Sequence, residues 1–169
     1  MSVPTLSTGR LILRGPEGAD FALYRDFYAQ ATGPGGYGGP RRPDEAFRRL
    51  AMDIGHWSLR GFGRWVMVRA EDGAAIGGCG LVHPLGWPSH ELTWWLLPEA
   101  RGQGYATEAS RAVIDHALRA LRWPVVETHM RDENDAARRL AERLGGRIVR
   151  RETFPDGVAR DVFALGAAP

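Results

Sequence analysis

The sequence predicts an α+β fold around one mixed sheet, and three observations carry that expectation. Apolar residues switch between strand-like and helical spacing in the order β-α-α-β-β-β-α-β-α-β-β, about seven strands and four helices. The composition, 44% hydrophobic and 25% charged over 169 residues, is that of a globule with room for one domain, expected to span residues 1–169. A strand runs through a glycine-containing loop into a helix at Glu91 to Ala109.

Arg10 to Arg14 reads as the first strand, with Leu11 and Leu13 on one side. Asp20 to Gln30 reads as a helix, because Phe21, Leu23, Tyr24, Phe27 and Tyr28 have apolar helical spacing. Ala31 to Pro43 carries too many Gly and Pro residues to be anything but a loop. Pro43-Asp44-Glu45 opens a second helix, with Phe47, Leu50, Ala51 and Ile54 as its expected buried stripe. Arg64 to Arg69, Ala75 to His83 and Glu91 to Leu97 read as strands, the first two joined by a Glu71-Asp72-Gly73 turn. Thr107 to Leu121 is a helix, Val125 to Met130 a strand, and Asn134 to Leu144 a helix ended by Gly145-Gly146. Arg147 to Phe154 and Arg160 to Leu165 are the last two strands, around a Pro155-Asp156-Gly157 turn.

Composition excludes several chemistries. All 22 basic residues are Arg, so no Lys is available for a Schiff base, a P-loop or a kinase site. A net charge of +2 is not the dense basic footprint of a nucleic-acid binder. One Cys, Cys79, excludes an internal disulfide and fits a reduced, cytoplasmic setting. Its place on a predicted buried strand makes it a small core residue rather than a nucleophile. His56, His83, His90, His116 and His129 lack metal-ligand spacing, so no metal is expected. Met1 to Arg10 shows no signal-peptide pattern, and no stretch approaches the ~20 apolar residues of a membrane span.

The junction at Glu91 to Ala109 carries the chemistry. Pro98-Glu99-Ala100 leads into Arg101-Gly102-Gln103-Gly104-Tyr105-Ala106 and then Thr107 at a helix start. Free N–H groups and the helix dipole favour a phosphate there, and the two glycines let the backbone approach closely. Without a Lys or a third glycine in register, the loop is neither a nucleotide-hydrolysing P-loop nor a dinucleotide fingerprint. By themselves the glycines could also mark a plain turn.

Arg101-x-x-Gly104-x-Ala106 resembles the pyrophosphate-loop pattern of the GNAT superfamily of N-acetyltransferases, at the same place between strand and helix. The RimJ/RimL-like subgroup, which acetylates ribosomal-protein N-termini, is the nearest likeness. Its opening run is matched by Thr8-Gly9-Arg10-Leu11-Ile12-Leu13-Arg14, and its pattern before the loop by Glu91, Trp94, Leu96 and Pro98. Gly102 to Ala109 matches its loop and helix start, and Asn134, Ala137, Glu142, Leu144 and Gly145 match its later helix. Leu144-Gly145-Gly146 departs from the usual Gly-Phe.

The resemblance implies a mixed, mostly antiparallel central sheet and acetyl-coenzyme A as donor, with coenzyme A as product. Arg101, Gly102, Gln103, Gly104, Tyr105, Ala106 and Thr107 would hold the pyrophosphate. Trp95, Leu96 and Leu97 would pair with the pantetheine arm on a strand carrying a bulge, with the oxyanion near the Leu96 N–H. Asn134 and Arg138 would touch the cofactor from the next helix; a helix cap and a solvated charge are their plain alternatives. Glu91 is the candidate proton acceptor, because an amine must lose its proton before it attacks. A surface carboxylate, a salt-bridge partner and a substrate anchor remain open for it. Tyr37 and His90 are candidates for contact with the acceptor, Tyr37 from the loop that would roof it. Ala141 stands where many members carry a Tyr acid, which leaves the general acid unassigned. The implied reaction is acetyl transfer to a primary amine, of a small molecule or a protein N-terminus, by direct attack. Transfer of another acyl group such as succinyl, or coenzyme A binding without catalysis, are the alternatives. The family frequently forms homodimers, and no nucleic acid or membrane partner is expected.

Overall fold

The computed structural model describes residues 2–32 and 39–167; Tyr37 lies outside the described residues. In chain order the elements are β1 (Leu6–Ser7), β2 (Leu11–Arg14), α1 (Phe21–Gln30), α2 (Pro43–Arg60), β3 (Arg64–Arg69), β4 (Ala75–Val82) and β5 (Glu91–Leu96). Then follow α3 (Tyr105–Arg119), β6 (Val125–His129), α4 (Asp135–Arg143), β7 (Arg147–Thr153) and β8 (Ala159–Ala167). The α+β class and the four helices agree with the sequence. β1 is an addition, a two-residue strand too short to leave a periodic signal.

The strands form two antiparallel ladders, β1-β2-β3-β4-β5 and β6-β8-β7. They meet at a seam between β5 and β6. There Ser89 Oγ donates to Glu127 Oε2 at 2.8 Å, Glu91 meets His129, and Thr128 Oγ1 donates to Leu92 O at 2.8 Å. Both residue numbers rise from the Ser89–Glu127 pair to the Glu91–His129 and Leu92–Thr128 pairs, so β5 and β6 run in the same general direction where the two ladders meet. Beyond Leu92 and His129 they part. The bulge expected in β5 is absent from its ladder, which runs unbroken from Gly77↔Leu96 to Val82↔Glu91. The opening arises between the two ladders instead, so β5 needs no extra residue.

Packing divides across the sheet. α3 covers one face with Ala109, Val113 and Ala117 against Leu11, Leu13, Trp65, Cys79 and Leu81. α1 and α2 cover the other with Tyr24, Phe27, Tyr28, Ala46 and Leu50 around Val66 and Trp95. β4 runs through Gly77, Gly78 and Gly80 because larger residues do not fit. A Cβ on Gly77 would lie 2.2 Å from Trp95 O, and one on Gly80 2.4 Å from Arg64 Cα.

The buried stripe of α2 differs from the expected one. Ala46, Leu50, Asp53 and Trp57 face inward, whereas Phe47, Ala51 and Ile54 are exposed. A buried ion pair sets the rotation. Arg64 Nη1 donates to both Asp53 oxygens at 3.0 and 2.8 Å, and Tyr24 Oη donates to Asp53 Oδ2 at 2.7 Å. Arg64 and Asp53 are 5% and 1% exposed, so the charges are compensated only by turning Asp53 toward the sheet. Asp53→Ala should therefore strand the Arg64 charge and cost about 3–5 kcal/mol in urea unfolding, whereas Phe47→Ala should cost about 1 kcal/mol or less.

Candidate active site

A cavity of about 1410 Å³ occupies the opening between β5 and β6. It extends from the Arg101–Ala106 loop, past Trp94 and Leu96, to Glu91 and His129, with Met130, Asn134 and Ala137 on its far wall. β5 presents different groups to each side. Strand alternation separates Glu91, Thr93 and Trp95 from Leu92, Trp94 and Leu96. The Trp95 ring packs among α1 aromatics, 4.4 Å from Phe27 and 5.1 Å from Tyr24. Leu92 and Leu96 join the α3 core.

Backbone direction follows the same alternation. The Leu97 N–H donates to Ile76 O at 3.0 Å, on the β4 side. Leu92 O and Leu96 O accept on the opposite side, from Thr128 Oγ1 and from Arg101 Nε at 3.1 Å. Leu92, Trp94 and Leu96 therefore turn their backbone groups toward the opening, while those of Trp95 and Leu97 serve the ladder. Of the three residues expected to pair with a ligand, Leu96 has the required direction. Trp94 joins it and was missed.

The loop at the other end is built for an anion. A single 3₁₀ turn (Pro98–Ala100) ends β5, and Gly102 and Gly104 then adopt φ of 73° and 82°. Such values are strained for any residue with a Cβ. Gly104 caps α3, and the first bond of the helix runs from the Glu108 N–H to Gly104 O at 3.1 Å. The N–H groups of Tyr105, Ala106 and Thr107 precede it and are free of intrahelical bonds, at the positive end of the helix dipole. Arg101 and Arg111 also line the cavity.

The N-terminal segment clasps this loop. Glu108 Oε1 accepts from Thr8 Oγ1 at 2.6 Å and from the Arg10 N–H at 2.8 Å. Glu108 Oε2 accepts from Arg10 Nε at 2.7 Å, Arg10 Nη1 donates to Gln103 O at 3.0 Å, and the guanidinium lies 4.6 Å from the Tyr105 ring centre. Burial raises the Glu108 carboxyl, but the bonds from Thr8 and Arg10 outweigh it and hold the group below its ordinary range. The motif around Thr8 and Arg10 was visible in the sequence; its role as a clasp was not.

Glu91, Trp95, Leu96, Arg101, Gly102, Gly104, Tyr105, Ala106, Thr107 and Asn134 all line the one cavity. Asn134 is also the cap of α4, where its Oδ1 accepts from the Ala137 N–H at 3.2 Å. Four other candidates point elsewhere. Arg138 pairs with Asp161 at 3.0 Å and lies over the Phe163 ring. Gln103 Nε2 donates to Glu99 O at 2.8 Å. Leu97 is turned to β4. His90 is away from the cavity, with Nε2 3.0 Å from Val125 O and its ring 3.9 Å from that of Trp123. Burial lowers the His90 imidazole, which favours the neutral form. His90 precedes β5 and its ring is turned to Val125 and Trp123, so it does not reach the cavity that Glu91 lines.

His129 is the residue that sequence reasoning missed. It contacts Glu91 Oε2 through Nε2 and lines the cavity. A separation of 38 positions and the lack of a motif hid the pair. Cys79 is wholly buried, and burial pushes its thiol up to about 12. Among the described residues no cluster of three or more His, Cys, Asp or Glu is arranged for a metal, and no helix is long and apolar enough to cross a membrane.

The cavity thus has the glycine-capped start of α3 at one end and a carboxylate at the other. Residues 10–147 match the acetyltransferase (GNAT) domain, and the chain belongs to that family, whose members use acetyl-coenzyme A. An acetyltransferase from Agrobacterium tumefaciens is 33% identical, with a TM-score of 0.85 over 98% of this chain and 96% of that one. A protein from Bordetella pertussis assigned to the same family is 26% identical, with a TM-score of 0.81 over 97% of this chain and 100% of that one. The fold also matches RimL, a ribosomal-protein alpha-N-acetyltransferase in complex with coenzyme A, at 15% identity and a TM-score of 0.74 over 95% and 97% of the two chains.

The residues present fit this cofactor: two left-handed glycines, backbone N–H donors and Arg suit a pyrophosphate, and the edge of β5 that borders the cavity suits the amides of the pantetheine arm. Arg10→Ala should release the loop from its clasp and weaken coenzyme A binding by about tenfold in calorimetry, because a displaced donor set loses aligned hydrogen bonds. Arg10 is half exposed, so fold stability should change by no more than about 1 kcal/mol.

Proposed function

We propose that this protein transfers the acetyl group of acetyl-coenzyme A to a primary amine by direct attack, with residues 1–169 acting as a single catalytic domain. The observation that carries this reading is Glu91, at the point where β5 and β6 part, on the same cavity as the anion-binding loop. Bound acetyl-coenzyme A supplies a thioester whose carbonyl carbon is open to a nucleophile. The chain supplies the rest. N–H groups from Gly102 to Thr107 hold the pyrophosphate, and Trp94 and Leu96 offer backbone groups to the arm. The Leu96 N–H faces the opening, where it can donate to the developing oxyanion. Glu91 takes the proton that the acceptor ammonium must lose, directly or through one water. Ala141, fully buried, puts no hydroxyl into the cleft, so the thiolate leaves without a proton from that position.

RimJ/RimL-like membership is supported by the N-terminal motif, now seen to clasp the loop, and by the likeness of fold to a ribosomal-protein acetyltransferase. The acceptor is then a protein N-terminus or a small amine of similar size. A homodimer and a cytoplasmic location accompany this reading. The missing hydroxyl at Ala141 favours one second reading, coenzyme A binding without turnover.

Thiol release from acetyl-coenzyme A, followed across primary amines and short peptides with free N-termini, separates the two. Amine-dependent release is expected, and Glu91→Gln should slow it by about 10²–10⁴-fold with little change in coenzyme A affinity. Tight binding with no release for any amine would support the second reading. Full rate in Glu91→Gln at every pH would remove Glu91 from the proton path.

A further inference from the structure

His129 is held by more contacts than a wall residue needs. Its ring stacks on Trp87, with centres 5.5 Å apart and planes at 23°, and packs on Phe154 at 4.0 Å. Arg160, only 5% exposed, lies over both partner rings, 4.8 Å from the centre of Phe154 and 5.8 Å from that of Trp87, and is paired with Asp156. Trp87 is anchored in turn, since its carbonyl lies 3.1 Å from His83 Nε2. The imidazole is thus packed against two rings that also touch each other, with centres 5.2 Å apart, and its Nε2 meets Glu91 Oε2.

The two ring nitrogens are not equivalent. Nε2 meets the carboxylate, whereas Nδ1 is buried with no hydrogen-bond partner. A proton on Nδ1 would be a buried donor without an acceptor, and a bare Nε2 would set a lone pair against the carboxylate. Both penalties vanish with one proton, on Nε2. Among the described residues, His129 is the one side chain bonded to the Glu91 carboxylate.

We propose that His129 is a positioning residue for Glu91. Its Nε2–H holds Oε2 in place and leaves Oε1 directed to the acceptor amine. This rests on the reading of Glu91 as the proton acceptor. Glu91 can adopt several rotamers at the mouth of a wide cavity, and one charge-assisted bond from a packed ring selects among them. The imidazole touches the carboxylate, not the reacting atoms. Proton transfer remains a single step, from the ammonium to Glu91.

Two variants separate positioning from packing, because the hypotheses rank them in opposite orders. His129→Gln puts an amide N–H near the place of Nε2 but loses the ring. His129→Phe keeps the ring and loses the donor. For the most active amine of the panel, positioning expects Phe to lower kcat by about tenfold or more with the KM for acetyl-coenzyme A unchanged, and Gln to recover most of the loss. Phe equal to or faster than Gln would overturn the proposal. In a Glu91→Gln background, His129→Phe should add little further loss, since the pair then has no carboxylate to position. If Glu91→Gln is slow while His129→Phe keeps full rate, this proposal fails and the reading of Glu91 stands. If Glu91→Gln keeps full rate, both fail. Nitrogen-15 NMR of the imidazoles in the unaltered protein gives a readout without turnover. It should show the Nε2–H tautomer for His129, with its shift moving in Glu91→Gln; an Nδ1–H tautomer would overturn the assignment.

Discussion

β5 has a complete ladder along one side only, and the cavity opens along the other. Backbone groups in a protein interior need partners, so a strand that loses its neighbour partway along is normally covered or closed. Here the β4 side is complete over the whole of β5. On the other side Thr128 takes Leu92 O and Arg101 takes Leu96 O, at the two ends of the gap. The stretch between them faces the cavity. β6 pairs with β8 along its far edge. The ligand that fits such a gap is itself strand-like, which is why an amide-bearing arm suits it better than a compact molecule.

Charge is arranged around the two ends of the gap by different means. At the loop, a carboxylate in the first turn of α3 would repel an incoming phosphate. Arg10 and Thr8 engage every oxygen of Glu108, so the carboxylate serves as an anchor and its field at the loop is compensated. With no Lys in the chain, the anion is met by backbone dipoles and planar guanidinium groups, which hold direction better than a flexible ammonium does. At the opposite end, among the described residues the Glu91 carboxylate is paired with an imidazole and with no Arg.

Most of the fold was legible in the sequence, and so was the glycine loop that borders the cavity at one end. Those features are local: strand alternation, helical spacing, and a glycine pattern that demands left-handed backbone. What escaped was set by distant partners. Phe47, Ala51 and Ile54 looked like the inner face of α2, but Asp53 rotated the helix to reach Arg64, some ten positions away on another element. His129 and Glu91 meet across a seam between ladders. His90 was favoured over His129 because it neighbours Glu91 in sequence, although it precedes β5 and its ring is turned to Val125 and Trp123. Trp94 likewise gains its role from the direction of its backbone, which spacing alone does not report.

The glycine run of β4 brings the strand so close to its neighbours that Cys79 is sealed beneath α3, 3.7 Å from Ser110 Oγ. Its thiol is raised to about 12 and lies out of reach of solvent. An enzyme of this family liberates a free thiol at each cycle; once that thiol is oxidised to its disulfide, an accessible cysteine thiolate could attack it, forming a mixed disulfide and releasing one coenzyme A thiol. With its sole sulfhydryl entombed, the folded chain is immune to that side reaction. It is also silent toward colorimetric sulfhydryl reagents, so any colour that develops belongs to coenzyme A alone.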